Sequence, residues 1–149
     1  MSTPTPTPLN GQLIGQTHYA TRALLNRELN RLGIDFETSV ALNLTAGGET
    51  RPTEAELASL MADALKTDTT ATRSIIEHAL EEGLLARDAD AEPRLRLTPT
   101  GTEVRERVAT VMAPVIARLY GDLPEADLAA AARVLAAVRS RANAELAAG

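Results

Sequence analysis

The sequence contains no cysteine and no tryptophan, and it has only one phenylalanine and two tyrosines. The absence of cysteine excludes a disulfide scaffold, a thiolate nucleophile and a cysteine-ligated zinc site. Since sandwich strands favour aromatic and β-branched side chains, the scarcity of aromatics favours a core of packed helices. The sequence also lacks an apolar run of about 20 residues, the length that crosses a bilayer, and a basic, apolar signal peptide. We therefore predict a mainly helical, cytoplasmic protein with no membrane partner.

The chain of 149 residues has a formal net charge of −5 at pH 7. An acidic chain is not attracted as a whole to nucleic acid, so any contact with DNA has to come from locally placed arginines. The sequence has no glycine-rich phosphate loop after a strand, no plausible Ser-His-Asp set and no paired carboxylates in a predicted cleft. His18 and His78 have no nearby cluster of metal ligands. We therefore predict no enzymatic activity, no cofactor and no metal.

Helical periodicity fills most of the chain after the Thr- and Pro-rich residues 1–9, which we interpret as an extended, mobile tail. The first predicted helix runs from about Asn10 to Leu32, and the second runs from about Phe36 to Ala46 and is closed by two glycines. The segment "RPTEAELASLMADAL" begins with a capping box, in which Thr53 and Glu56 each accept a hydrogen bond from the other's backbone N–H.

A second helix follows closely, capped by Asp68 or Thr69 and ended by Gly83. Two helices of about three turns with a short polar connection indicate a helix-turn-helix. The next stretch, "LLARDADAEPRLRLTPTGTE", contains two short strand candidates around a turn, and Thr98 then caps another helix. Pro114 is expected to kink that helix, and a final Ala-rich amphipathic helix follows "GDLP". In a winged helix, the two-stranded ribbon called the wing directly follows the helix-turn-helix, as these strand candidates do.

Together, the segments "ELASLM", "TRSIIEHALEEGLLARD" and "LRLTPTGTEV" resemble the MarR family of transcriptional regulators. The resemblance covers nearly everything except the tail. It implies a mainly α fold with a small two-stranded β wing, a winged helix-turn-helix with long N- and C-terminal dimerisation helices. The expected division is a tail at 1–9, a dimerisation helix at 10–34, a DNA-binding region at 35–98 and C-terminal dimerisation helices at 99–149.

The start of the predicted recognition helix carries side chains suited to the major groove: threonine hydroxyls donate to phosphates, and an arginine can fork onto guanine. We predict that this helix contacts DNA through Thr69, Thr70, Thr72 and Arg73. On residue types alone, the same pattern would also fit a capped helix start with a solvated arginine.

In the predicted wing, Arg94 and Arg96 alternate with leucines, so both arginines should face the same way and contact phosphate or the minor groove. The alternative is an edge strand protected by charge against aggregation. Arg87 is a further candidate for DNA contact, or it pairs with Asp88, Asp90 or Glu92. From Lys66 to Thr98, five basic residues stand against seven acidic ones, so we expect modest, strongly salt-dependent affinity.

Small anionic or aromatic ligands often bind beside the first helix in the family that this chain resembles. By that resemblance His18, Tyr19 and Arg22 would bind a carboxylate or phenol, and the alternative is a solvent-exposed face or a polar patch at the dimer seam. The apolar stripes of the terminal helices predict a two-fold homodimer with a seam formed by 10–32, 101–120 and 124–146.

The resemblance therefore implies a repressor that binds double-stranded DNA at a pseudo-palindromic operator and is relieved by a small-molecule effector. The competing hypothesis is a helical dimeric module for protein interaction or ligand binding that has lost DNA binding. The excess of acidic residues between Lys66 and Thr98 and the short wing favour that alternative.

Overall fold

The computed structural model describes residues 3, 5 and 7–149, and the predicted tail lies partly outside these residues. Six helices and one two-stranded antiparallel sheet form the described part of the chain. In chain order they are α1 (Gly11–Arg31), α2 (Phe36–Gly47), α3 (Glu54–Leu65), α4 (Thr69–Glu81), β1 (Leu85–Arg87), β2 (Leu95–Leu97), α5 (Pro99–Tyr120) and α6 (Glu125–Ala148). The predicted fold, a mainly α winged helix-turn-helix with a small β wing, is confirmed.

Side-chain caps mark the starts of α1 to α5. Asp68, rather than Thr69, caps α4, because its Oδ1 accepts a hydrogen bond of 2.8 Å from the Ala71 N–H. At α3 only half of the predicted capping box forms. Thr53 Oγ1 accepts from the Glu56 N–H at 3.2 Å, but the Glu56 carboxylate lies 3.9 Å from Arg94 Nη1 in the wing instead of returning to the Thr53 backbone. The reciprocal bond was wrongly predicted because the competing arginine arrives from a distant part of the sequence.

The core of the winged helix lies between α2, α3, α4 and the inner face of the two strands. Apolar side chains from all five elements are fully buried there and form one cluster: Ala41, Leu42, Leu57, Ala58, Met61, Ile76, Ala79, Leu85 and Leu95. None of them is aromatic. Small and aliphatic side chains allow the three helices to pack closely, and burial of one leucine or isoleucine stabilises the fold by about 1.5–3 kcal/mol.

The wing is held against α4 and α5 by a glycine at each junction. Gly83 adopts φ +73°, and the N–H of Leu84 bonds to the Ala79 carbonyl at 3.0 Å, so α4 ends abruptly and the chain enters β1. Leu85 pairs with Leu97 in the antiparallel register. A Cβ on Gly101 would lie only 2.1 Å from the Leu84 carbonyl oxygen, so the first turn of α5 can approach this junction only with glycine at that position.

Packing divides the chain into two compact units, Met1–Met112 and Ala113–Gly149. The boundary falls within α5, which continues as a helix through Pro114. The predicted division into dimerisation and DNA-binding regions is a functional one and stays a prediction. Across the described residues, no helix combines the length and the apolar character needed to cross a membrane.

Candidate nucleic-acid interface

The start of α4 is the most accessible part of the helix-turn-helix. Thr69, Thr70 and Arg73 are all exposed there. Among the described residues, Arg73 makes no ion pair. A free guanidinium offers five N–H donors in a planar fork, a geometry that fits guanine or phosphate. The structure therefore leaves three of the four side chains predicted in this helix available to a ligand.

Thr72 differs from these three residues because it is buried, so its predicted contact with DNA is wrong. The residue has a relative exposure of 0%, and its hydroxyl donates to the Ala58 carbonyl of α3 at 3.0 Å and to the Thr69 carbonyl at 3.1 Å. The periodicity of α4 explains the difference, because Thr72 precedes the buried Ile76 by four residues and shares its inward face. Thr72 thus joins the two helices of the helix-turn-helix.

This role of Thr72 can be measured. Thr72→Val keeps the shape of the side chain but removes the hydroxyl, so we expect the free energy of unfolding to fall by about 1 kcal/mol. Thr72→Ser is the matched control, since it retains the donor to Ala58. Urea denaturation of both variants checks this expectation. A valine variant as stable as the wild type would contradict a stabilising role of the hydrogen bond to Ala58.

Arg87 connects α3, α4 and the wing through two carboxylates. Its Nη2 lies 2.9 Å from Glu54 Oε2 and 3.5 Å from Glu77 Oε2. The hydrogen bond and charge of Glu54, with a smaller contribution from Glu77, raise the pKa of the Arg87 guanidinium above its ordinary value. The predicted partners Asp88, Asp90 and Glu92 are wrong. Arg87 therefore shares its single positive charge between Glu54 and Glu77, the acid one turn after Arg73 in α4.

Three arginines form a second group beside the sheet, which we call the wing arginine cluster: Arg51, Arg94 and Arg96. Arg51 Nη1 lies 3.3 Å from Asp88 Oδ2, and Arg96 Nε lies 3.4 Å from Asp88 Oδ1. Arg94 Nη1 donates to the Arg51 carbonyl at 2.5 Å. One aspartate thus gathers two guanidinium groups whose side chains stay 58% and 42% exposed.

No family model and no curated protein matches the chain, whereas solved structures do. The transcriptional regulator PA3341 is 27% identical over 91% of this chain and 97% of its own, with a TM-score of 0.73. MepR of S. aureus in complex with DNA is 18% identical over 89% and 96%, with a TM-score of 0.73. A MarR-family regulator from Rhodococcus sp. RHA1 is 15% identical over 87% and 92%, with a TM-score of 0.71.

The chain therefore shares the fold of solved MarR-family transcriptional regulators. Two of these three proteins are named as transcriptional regulators and none as an enzyme, in agreement with the prediction from the missing catalytic constellation. The likeness extends over nearly the whole length of both chains, so the long terminal helices are part of the shared architecture as well as the winged helix.

Arg51, a member of the wing arginine cluster, is a residue of the candidate interface that was not predicted from the sequence. It lies in the loop between α2 and α3, outside both the recognition helix and the wing. Its position follows from the isolated bridge between Thr53 and Arg94, which brings this loop alongside the start of β2. The sequence contains only a weak indication, an arginine directly before Pro52 and the cap of α3. The contact with Asp88 depends on residues 37 positions apart.

The predicted effector residues lie on α1, where His18 and Tyr19 are exposed and Arg22 is half-buried. Tyr19 is 70% exposed, and its ring packs edge-on against His18 at 5.4 Å. Arg22 stacks over the Phe36 ring at 4.4 Å and lies 3.8 Å from the Glu37 carboxylate. Arg22 therefore fastens the start of α2 to α1 within the described structure, and its ligand role stays a prediction.

Proposed function

We propose that the chain is a DNA-binding transcriptional regulator that acts as a homodimer on a pseudo-palindromic operator. The observation that carries the proposal is the exposed start of α4, with Arg73 free of ion pairs, on the same winged helix as the wing arginine cluster. In helix-turn-helix proteins the second helix enters the major groove and its N-terminal residues contact base edges. The fold shared with MepR, whose structure is named as a complex with DNA, supports this assignment.

Each element has a distinct part in this proposal. Arg73 forks onto a base edge, while Thr69 and Thr70 donate to phosphates at the entrance of the groove. Arg94 and Arg96, together with Arg51, contact the phosphate backbone beside the recognition helix. Their present carboxylate partners are no obstacle, because exposed ion pairs typically contribute only about 0–1 kcal/mol and exchange readily for phosphate.

The unit Ala113–Gly149 supports a homodimer. α6 buries none of its residues within the chain, although it carries apolar side chains that are 41–68% exposed: Val134, Leu135, Val138 and Leu146. Ile116 and Leu119 of α5 are also exposed. A monomeric protein rarely leaves such a continuous apolar surface in water, and two-fold pairing with a second copy would cover it. Two-fold symmetry in turn presents two recognition helices to a two-fold operator.

We further propose that the regulator represses transcription by occupying promoter DNA and is released by a small-molecule effector. This part of the proposal rests on the family resemblance. The competing function is a dimeric module without DNA binding. It is supported by the excess of acidic residues between Lys66 and Thr98, where seven acidic residues stand against five basic ones.

Fluorescence anisotropy with the DNA upstream of the coding sequence, at several salt concentrations, tests the proposal. Since each neutralised phosphate contributes about −0.9 to the slope of log K against log[salt], Arg94→Ala combined with Arg96→Ala should reduce the slope by about 3–4 in a dimer, and weaken binding to all sequences similarly. Arg133→Ala, on the exposed α6, is the control and should leave the slope unchanged.

Absence of binding above the level of random DNA, followed by failure of a random-sequence selection, would contradict DNA binding and favour the interaction module. An unchanged slope in the wing variant would remove the wing from the proposed interface while leaving α4 in it.

A further inference from the structure

A second feature of the winged helix is a groove of about 830 Å³ that lies within the unit Met1–Met112. The end of α2 and the following loop form one side, β2 a second and the first turns of α5 a third. The lining side chains that matter here are charged: Arg51, Arg96, Glu49, Glu103 and Glu106. The volume falls in the range of about 300–1,000 Å³ that is usual for small-molecule sites.

The opposite charges of this groove do not neutralise each other. Among the described residues no ion pair within 4.0 Å joins either arginine to any of the three glutamates. Arg51 and Arg96 instead both turn to Asp88. Glu103 pairs along its own helix with Arg107 at 3.0 Å. The groove is therefore lined by two arginines that share Asp88 and by three glutamates, of which Glu103 is paired along its own helix.

The apolar side chains of Ala46, Leu97 and Pro99 line the same groove. A simple anion attracted by the two arginines would also be repelled by the three glutamates, and a simple cation attracted by the glutamates would also be repelled by the arginines. A molecule with both charges avoids the repulsion, because each end approaches the group of opposite sign while its methylene chain covers the apolar residues. We propose that this groove binds a short zwitterion, with its carboxylate at Arg51 and Arg96 and its amine at Glu103 and Glu106.

Occupation of the groove would also regulate the protein, a consequence that rests on the proposed function. Arg51 and Arg96 are two of the three arginines in the wing arginine cluster, so a ligand carboxylate held there competes with DNA phosphate for the same donors. Each winged helix of the proposed homodimer would then be blocked directly. The effector would lower affinity for all DNA sequences and reduce the dependence of binding on salt.

The binding step is tested without DNA by titrating ¹⁵N-labelled protein with ω-amino acids from glycine to 6-aminohexanoate, with hexanoate and hexylamine as single-charge controls. We expect at least one ω-amino acid to shift the amide signals of residues 45–51 and 96–106 with an apparent Kd about tenfold below both controls, the ratio that corresponds to about 1.4 kcal/mol. Glu106→Gln should abolish that advantage, whereas Glu145→Gln on α6 should preserve it.

Equal affinity for the single-charge controls, shifts confined to other residues, or no shift with any ω-amino acid would overturn the proposal. The DNA competition is measured separately by anisotropy with the same compounds. If the protein binds a zwitterion but its DNA affinity is unchanged, the competition is overturned and the site remains. If the protein binds no DNA at all, the proposed function fails, and the amide shifts still decide whether the groove is a site.

Discussion

Replacing Arg73 by alanine should lower the affinity for the operator by about 30-fold or more. Loss of an arginine that contacts a base edge costs about 1–3 kcal/mol, and a two-fold complex loses that contact twice, so the combined cost is at least about 2 kcal/mol. The fold should not suffer, because Arg73 is exposed and has no ion pair within the described structure, and such surface substitutions usually change the free energy of unfolding by less than about 0.5 kcal/mol.

Arg73→Lys separates the two ways in which this side chain could act. Lysine keeps the charge but lacks the planar fork, so it would preserve a phosphate contact and lose a bidentate contact with guanine. We expect the lysine variant to retain binding to random DNA and to lose discrimination between the operator and a single-base variant, measured by anisotropy. Wild-type affinity and specificity in the alanine variant would remove Arg73 from the interface.

The second large effect is expected at the apolar face of α6. Leu135→Glu combined with Val138→Glu should convert the protein from a dimer to a monomer at micromolar concentration. Two-fold pairing would bring four carboxylates into an apolar seam, and desolvation of an unpaired charge costs several kcal/mol. Sedimentation equilibrium measures the change. Because the proposed homodimer would bind its operator through both winged helices, anisotropy should show a loss of operator affinity in the same variant.

A matched control carries the same added charge on the other side of the helix. At 100° per residue, Ala129 and Ser140 lie on the same face of α6, which points away from Leu135 and Val138, and both are exposed. Ala129→Glu combined with Ser140→Glu should therefore remain dimeric. A monomeric wild-type protein, or a seam variant as dimeric as the control, would contradict the proposed homodimer.

Helix ends were predictable because their determinants are local. Thr98 Oγ1 accepts the Gly101 N–H at 2.9 Å, as expected for the cap of α5, and Gly83 closes α4 as predicted. Lys66 is the exception, since it adopts the left-handed conformation with φ 54° at the end of α3. The cap there forms from backbone bonds to the Ala62 carbonyl, without the glycine that would have revealed it.

The candidate site was only partly predictable. Threonines at the start of α4 are equivalent by type, yet Thr69 and Thr70 are exposed and Thr72 is buried against Ala58. The distinction depends on which face of α4 packs on α3. Arg87 illustrates the same limit. The alternative to its contact with DNA was pairing with acids close in sequence, whereas Glu54, 33 residues away, binds it.

The sequence by itself determined the order of the elements, most of the helix starts, the glycine that ends α4 and the aliphatic core, because each depends on residues within a few positions of one another or on simple periodicity. Only the tertiary structure decided which charges meet. Asp88 gathers Arg51 and Arg96 because the loop before α3 lies against β2, and the groove beside them exists because α5 returns across the glycine at position 101. Ion pairs between distant segments depend on distances of a few ångströms that no spacing along the chain specifies.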